Sequence, residues 1–401
     1  MYIERFLDWE IRKRLDRPEI FAIIGPRQSG KTTLLKNILK NLENAIFLDF
    51  GDRTLLELFT EDIESFIDLY IKKYKYVFID QFQYAKDGGK NLKYIYDNYK
   101  TKIIITGSSA TDLSIQSIKY LVGRIFVFNL YPLSFEEFLN FKQPEIYKIY
   151  CKRSPSKQIT EKIFPIFQEF CIFGGYPQVA LSNDEKEKEL VLKNIYNTYF
   201  LKEIKEILNL PGDHKLSKLI RLLSIQSGGM VNYNDISSIT GFSYHELLNH
   251  LNILEKTFIT LTSRPFFTNK KTELVKAPKI FFLDNGFRNI VINNFNQLKN
   301  RQDKGFLYEN FVASEIAKAN YKLNYWRSKS KAEVDFVIEG SGKIMPFEIK
   351  SDLLKPKITK SLHSFIDRYR QGKFFVLSET LWEEKTPVSF RPIFYISRLL
   401  K

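Results

Sequence analysis

Short runs of apolar, often β-branched residues recur through the first third of the chain, and several end in an acidic or small polar residue. Glu19-Ile20-Phe21-Ala22-Ile23-Ile24, Ala45-Ile46-Phe47-Leu48-Asp49-Phe50, Tyr76-Val77-Phe78-Ile79-Asp80 and Lys102-Ile103-Ile104-Ile105-Thr106-Gly107 read as buried strands. A strand covered on both faces shows a continuous apolar run rather than alternation. Thr32 to Leu39 instead has helical spacing, with Leu35, Ile38 and Leu39 on one face. Strands alternating with helices predict an α/β domain with a parallel sheet and a ligand at the strands' carboxyl ends. Tyr2 to Leu15 also reads as a helix, with Phe6, Trp9 and Leu15 as core positions.

Further along, Gly123-Arg124 precedes an apolar run, Ile125 to Leu130, and then Tyr131-Pro132-Leu133-Ser134-Phe135-Glu136-Glu137-Phe138. Ser134 with Glu137 fits a helix capping box. Gln143 to Lys162 is basic and broken by Pro144 and Pro155, as a linker or lid insertion would be. Phe164 to Phe170 is a helix candidate, Phe173-Gly174-Gly175-Tyr176-Pro177 a turn or lid hinge, and Glu187 to Leu208 a long charged helix. Leu216 to Leu261 has the outline of a winged helix. Leu219–Ile225 is one helix, Gly228-Gly229 breaks it, and Val231–Ser238 opens a second. Ser243 caps a third, Tyr244–Leu254, and Phe258 to Arg264 begins a wing. The third helix carries Tyr244, His245, Asn249, His250 and Asn252, which suit either DNA or protein contacts. Asn293 to Gln302 is polar and reads as a surface loop.

The strongest chemical signal lies between the first strand and its helix. Gly25-Pro26-Arg27-Gln28-Ser29-Gly30-Lys31-Thr32, continued by Thr33, is the phosphate-binding P-loop pattern in its required strand–turn–helix context. Backbone N–H groups and the helix dipole would surround a polyphosphate. Lys31 would reach the β- and γ-phosphates of ATP, and the Thr32 hydroxyl would ligate Mg²⁺. Asp80 ends an apolar strand, the Walker B position, and would hold the same Mg²⁺ directly or through water. Ser108 or Ser109, after the next strand, would orient the attacking water, sense the γ-phosphate or simply cap a turn. Arg124 would reach a γ-phosphate in its own subunit or, in a homo-oligomer, in a neighbour's. It fits a surface salt bridge equally well. After Asp80 most such ATPases place Glu, which polarises the water. Here Gln81 stands there, and an amide cannot accept the water's proton. This predicts slow turnover and a faster Gln81→Glu variant.

A second acidic set lies near the C-terminus. Phe306 to Ala319 is a helix carrying Glu309, and Lys331–Glu339 and Lys343–Lys350 form a hairpin around Gly340-Ser341-Gly342. Asp335 on one strand faces Glu348 and Lys350 on the other, and residues two apart share a face. Asp335 with Glu348-x-Lys350 is the core of the PD-(D/E)xK nuclease pattern. Asp335 and Glu348, with Glu309, would bind Mg²⁺, and Lys350 would orient water or stabilise a phosphorane. A half-exposed hairpin shows the same alternation.

GPRQSGKTTLL, Asp80 to Gln83, ITGSSA, Gly123-Arg124 and YPLSFEEF together resemble a prokaryotic family of AAA+-type P-loop ATPases that carry a C-terminal domain of unknown function with a restriction-endonuclease-like core. Phe173 to Pro177, Tyr199-Phe200-Leu201-Lys202-Glu203, Tyr325-Trp326-Arg327, Ala332 to Phe336 and Glu348-Ile349-Lys350 resemble the same family. The resemblance implies a three-layer AAA+ fold and ATP as ligand. It also implies a nuclease-like C-terminal fold that cuts DNA or keeps its acids for binding. Gln81 departs from the family's usual Asp-Glu.

Composition adds partners and location. Lys and Arg number 61 against 46 Asp and Glu, a formal net charge of +15, which suits nucleic acid or simply a lysine-rich surface. The two cysteines, Cys151 and Cys171, form no metal pattern or disulfide framework. No run approaches the roughly 20 apolar residues of a membrane helix, and the N-terminal segment lacks a signal-peptide run. A cytoplasmic protein is expected. The expected organisation is an ATPase domain at 1–150, a helical lid at 151–215, a winged-helix region at 216–275 and an endonuclease-like domain at 276–401. Two functions fit: an ATPase coupled to a module acting on DNA, or a nucleotide-controlled switch that binds a protein partner and cuts nothing.

Overall fold

The computed structural model describes residues 2–107, 118–152, 156–198, 204–267, 276–340, 343–369 and 372–401. The expected turn at Ser341-Gly342, the segment Tyr199 to Glu203 and the strand-end serines Ser108 and Ser109 lie outside them. The chain divides into two compact units. One comprises Met1–Leu133 with Lys256–Phe258, the other Ser134–Glu255 with Ile259–Lys401. The first thus ends at Leu133 rather than near residue 150.

In the first unit five strands form one parallel sheet: β1 (Ile20–Ile24), β2 (Ala45–Asp49), β3 (Tyr76–Asp80), β4 (Lys102–Gly107) and β5 (Ile125–Asn129). Their spatial order is β2-β3-β4-β1-β5. Alternate residues of β1 feed opposite cores. Ile20, Ala22 and Ile24 pack with Val77, Ile79, Ile103 and Ile105, and Phe21 and Ile23 pack with Phe78, Ile104, Leu34 and Ile38. That two-sided burial is why the strand sequences are uniformly apolar, and it makes the unit three-layered. Helix α1 (Phe6–Arg12) is shorter than expected. Phe6 and Trp9 are exposed, so they are not core residues. Leu15 is buried as expected, and Ile3 and Ile11 are buried with it. Helix α2 (Lys31–Leu39) follows the P-loop, and Leu34, Leu35 and Ile38 bury its inner face.

The second unit begins at Ser134, whose side chain and that of Glu137 form the expected capping box on α3 (Phe135–Lys142). Helix α4 (Lys157–Phe173) ends in the glycine turn. Gly174 has φ +76°, and a Cβ there would sit 2.0 Å from an Asp284 carboxylate oxygen. Gly175 N–H donates to that carboxylate at 2.7 Å. The Gly-Gly-Tyr-Pro stretch is therefore a buried anchor on Asp284 rather than an open hinge. The expected Asn293–Gln302 surface loop also holds a buried Arg301, which bonds Asn289 and Asp303.

Helices α5 (His214–Ile225), α6 (Tyr233–Thr240) and α7 (Tyr244–Lys256) lead into β6 (Thr260–Pro265). Ser243 and Glu246 cap α7 reciprocally. His250 is buried, so it leaves the set of exposed polar groups on that helix. The strand expected to begin a wing does not stand alone. β6 pairs antiparallel with β7 (Lys279–Phe282) and parallel with β8 (Asn324–Arg327), and β9 (Glu333–Val334) completes a four-stranded sheet. Helix α8 (Asn285–Ile292) and helix α9 (Lys304–Lys318) follow β7. A second sheet joins β10 (Phe336–Gly340), β11 (Lys343–Ile349), β12 (Phe374–Ser378), β13 (Glu383–Lys385) and β14 (Val388–Pro392), in the order β10-β11-β12-β14-β13. Phe266, just past β6, shares one core with Trp326, Val337, Phe365 and Phe390. No helix among the described residues is long and apolar enough to cross a membrane.

Candidate functional site

The P-loop turns where the chain has no room for side chains. A Cβ on Gly25 would lie 2.1 Å from the Leu130 carbonyl oxygen, and Gly30 has φ +95°. Gln28 also takes a left-handed conformation, at φ +60°. Arg5, buried behind the loop, donates to the carbonyls of Ser29 at 2.9 Å and Tyr131 at 2.6 Å and so fixes the loop to the end of β5. Lys31 Nζ donates to the Gly25 and Pro26 carbonyls, both at 2.8 Å. Gly25, Pro26 and Ser29 are buried, while Arg27, Gln28, Thr32 and Thr33 are exposed. The N-cap of α2 is Gly30, which supplies no side-chain bond to the first turn. That turn keeps its N–H groups for an anion.

Behind the loop Asp80 is almost completely buried and accepts two hydroxyl bonds. Thr32 Oγ1 donates to its Oδ2 at 2.6 Å, and Thr106 Oγ1 donates to its Oδ1. Thr106 also accepts from Gln81 N at 3.2 Å. Gln81 has φ +56°, and its Nε2 donates to Asp49 Oδ1 at 2.8 Å. The assignment of that amide is forced, because an ionised carboxylate only accepts. The same Asp49 oxygen accepts from Gly51 N at 2.8 Å. Asp49 and Asp80 are register partners at the carboxyl ends of β2 and β3. The sequence marked Asp49 only as a strand-end acid. Thr106 and Arg5 carried no separable signal, since an interior threonine and an N-terminal arginine are common.

Thr32 and Asp80 fit the Mg²⁺ expected there. Both are hard oxygen donors, and they already meet at hydrogen-bond distance. Arg124 does not join this group. It precedes Ile125 at the amino end of β5, its carbonyl accepts from Ile20 N, and its guanidinium bonds Asp97 at 2.7 and 3.3 Å. Phosphates bind at the opposite, carboxyl ends, so Arg124 is out of reach of a γ-phosphate in its own subunit.

The C-terminal acids do come near one another, together with a lysine not anticipated from sequence. Desolvation, then the charge of Asp335, pushes the Glu309 carboxyl up to about 8. Desolvation likewise raises Asp335, which accepts from Ile349 N at 2.7 Å. Lys279 of β7, almost completely buried, pairs with Glu333. Burial opposes its charge, but Glu309, Asp335 and Glu333 outweigh that and raise its pKa. Glu348 accepts from Thr359 Oγ1 at 2.7 Å and pairs with Lys350 at 2.9 Å. Among the described residues no group of three or more His, Cys, Asp or Glu is placed to hold a metal ion. Of the acids expected to hold Mg²⁺, Glu348 is bonded to Lys350 and Thr359 and Asp335 to Ile349 N, while Lys279 pairs with Glu333 beside them. Lys350 and Glu348 do share a face, as their spacing required.

Residues 17–139 match the family of AAA domains, residues 165–298 a domain of unknown function (DUF8612) and residues 304–388 another domain of unknown function (DUF4143). The chain is 26% identical over 393 residues to an uncharacterized protein of Haemophilus influenzae, covering 91% of this chain and 92% of that one. It is 25% identical over 351 residues to an uncharacterized protein of Methanocaldococcus jannaschii, covering 84% and 76%. It is also similar to the solved Walker-type ATPase of Pyrococcus abyssi, at 15% identity and a TM-score of 0.46, over 73% of this chain and 96% of that one. The AAA match falls on the five-stranded sheet and its P-loop. The first unit is an AAA-type P-loop ATPase domain, and ATP is the ligand that such a domain binds.

Proposed function

We propose that this chain is an ATPase of slow turnover whose nucleotide state controls the second unit, and that the second unit acts on DNA. The observation that carries the reading is the buried Asp80 carboxylate, which accepts from both Thr32 and Thr106 directly behind the P-loop. Backbone N–H groups of the loop would hold the β- and γ-phosphates, and Lys31 would exchange its two carbonyl partners for phosphate oxygens. Mg²⁺ bound at Thr32 and Asp80 would offset phosphate charge. Gln81, with its nitrogen committed to Asp49, keeps Oε1 to accept a bond from the attacking water. It positions that water but takes no proton, which keeps hydrolysis slow.

The test is ATP turnover of the full chain with and without duplex DNA, beside a Lys31→Ala control. Turnover that rises with DNA and disappears in the control is expected. Tight ATP binding with no turnover and no response to DNA would sink the DNA-coupled reading and favour a switch for a protein partner. DNA binding in this reading weakens steeply with salt, because phosphate contacts release counterions.

One observation favours a second reading in which nothing is cut. Lys279 and Lys350 neutralise the C-terminal acids, and Glu348 is tied to Thr359. The nuclease-like fold would then serve binding. Mg²⁺-dependent nicking that Asp335→Ala abolishes would overturn this second reading.

A further inference from the structure

The second unit holds a groove that neither the P-loop nor the acidic cluster accounts for. It lies between the start of α6, the start of α7 and the outer end of β6, with a volume of about 720 Å³. That is within the roughly 300–1,000 Å³ of small-ligand sites. Tyr233, Tyr244, Leu248, Asn234, Arg264 and Lys276 supply its chemistry. Tyr244 and Tyr233 stand edge to face with centroids 5.9 Å apart, and Tyr244 is 45% exposed, leaving ring surface open to the groove.

Its charge is one-sided. Among the described residues no Asp or Glu lines the groove, while Arg264 and Lys276 both do. Lys279, Arg288, Arg301, Lys304 and Lys350 are each ion-paired. Two cations lining the groove beside an open aromatic face suit a ligand that carries both a π-face and an anionic group.

The groove also abuts the acidic cluster. Met230 on its rim forms a backbone bridge with Lys279 and touches Arg327 through its sulfur, and Arg327 faces Glu333, the ion-pair partner of Lys279. The groove therefore borders the sheet that carries Lys279 and Glu333.

We propose that this groove holds an unstacked nucleotide of single-stranded nucleic acid, with its base against Tyr244 and its phosphate against Arg264 and Lys276. A duplex base is stacked on both faces and cannot offer one to a tyrosine, so the occupant is a single strand or a strand end. Asn234 at the groove's edge provides a polar contact to the base without a fixed sequence preference, while Asn232 is committed to capping α6 and to Asp235. This rests on the reading that the second unit acts on DNA and adds which strand form it grips and where.

The experiment is fluorescence anisotropy of the full chain with a labelled oligothymidylate and, separately, a labelled duplex, from low to moderate salt. The variants are Tyr244→Ala, Tyr244→Phe and Arg264→Ala, each first checked for an unchanged thermal unfolding midpoint. Tyr244→Ala is expected to weaken oligothymidylate binding by about fivefold or more. Tyr244→Phe should stay within about twofold, since it keeps the ring, and Arg264→Ala should flatten the salt slope by about one phosphate contact. Wild-type protein that binds DNA in a salt-sensitive way, with all three variants unchanged, would overturn the groove and leave the DNA reading standing. Wild-type protein that binds neither probe would overturn both. Thymidine monophosphate that binds as tightly as the oligonucleotide would assign the groove to free nucleotides and overturn the strand part.

Discussion

Exchanging the side chains of Asp49 and Gln81 is the most direct probe of the ATPase site. In the native pair a carboxylate accepts from an amide at 2.8 Å, a charge-assisted bond worth about 1.5–3 kcal/mol. Gln81→Glu alone supplies the missing base but sets it against Asp49. Two like charges about 3–4 Å apart at an effective dielectric near 20 repel by about 4–5 kcal/mol. One of the two carboxyls then keeps its proton near neutral pH, and much of the gain is lost. Asp49→Asn with Gln81→Glu restores a carboxylate–amide bond with the partners reversed and leaves the base ionised beside the water. General-base catalysis adds about 10²–10⁴-fold, so the double variant should be the fastest of the four proteins. The cycle should show coupling of about 2 kcal/mol or more, roughly 30-fold. The assay is the initial rate of phosphate release at saturating ATP, with the Lys31→Ala rate subtracted throughout. A double variant no faster than Gln81→Glu alone would refute the idea that Asp49 aims residue 81.

Three other outcomes follow from named contacts. Gly174→Ala places a methyl 2.0 Å from the Asp284 carboxylate at φ +76°. It should cost about 3 kcal/mol or more in urea unfolding, and a midpoint within error of wild type would refute the anchor. Glu309 has a folded pKa of about 8 against an ordinary value of 4.5. Between those pH values the native state holds a proton that the unfolded chain has released, so stability is full below the lower value and falls as pH rises through the upper. Glu309→Gln should flatten the dependence of unfolding temperature on pH across that window, and an unchanged slope would assign it to other groups. Arg124→Ala should leave ATP turnover of the isolated chain within about twofold, because its guanidinium pairs with Asp97 at the far end of the sheet. A loss of a hundredfold or more would instead indicate that a neighbouring subunit supplies this arginine.

The parallel sheet and its P-loop were legible in the sequence because both are local. Strands buried on two faces must be apolar throughout, as Phe21 to Ile24 and Val77 to Ile79 are. A loop that wraps phosphate must also place Gly25, Gly30 and Lys31 at fixed spacing. The same locality gave the capping box at Ser134 and the N-cap at Ser243, where donor and acceptor lie three residues apart. Core assignment in the first helix failed for Phe6 and Trp9, since the direction a short helix faces is set by what packs against it. Thr106 reached Asp80, and Asp49 reached Gln81, across strand pairs that no linear spacing announces. Lys279 entered the acidic cluster from a strand more than 50 residues before Asp335, and only the pairing of β6 with both β7 and β8 brings that strand there. What the sequence determined by itself was the chemistry that one stretch of backbone can carry. The tertiary structure decided which charges meet, because burial and neighbours, rather than residue type, set whether an acid can bind a metal or is held by a lysine.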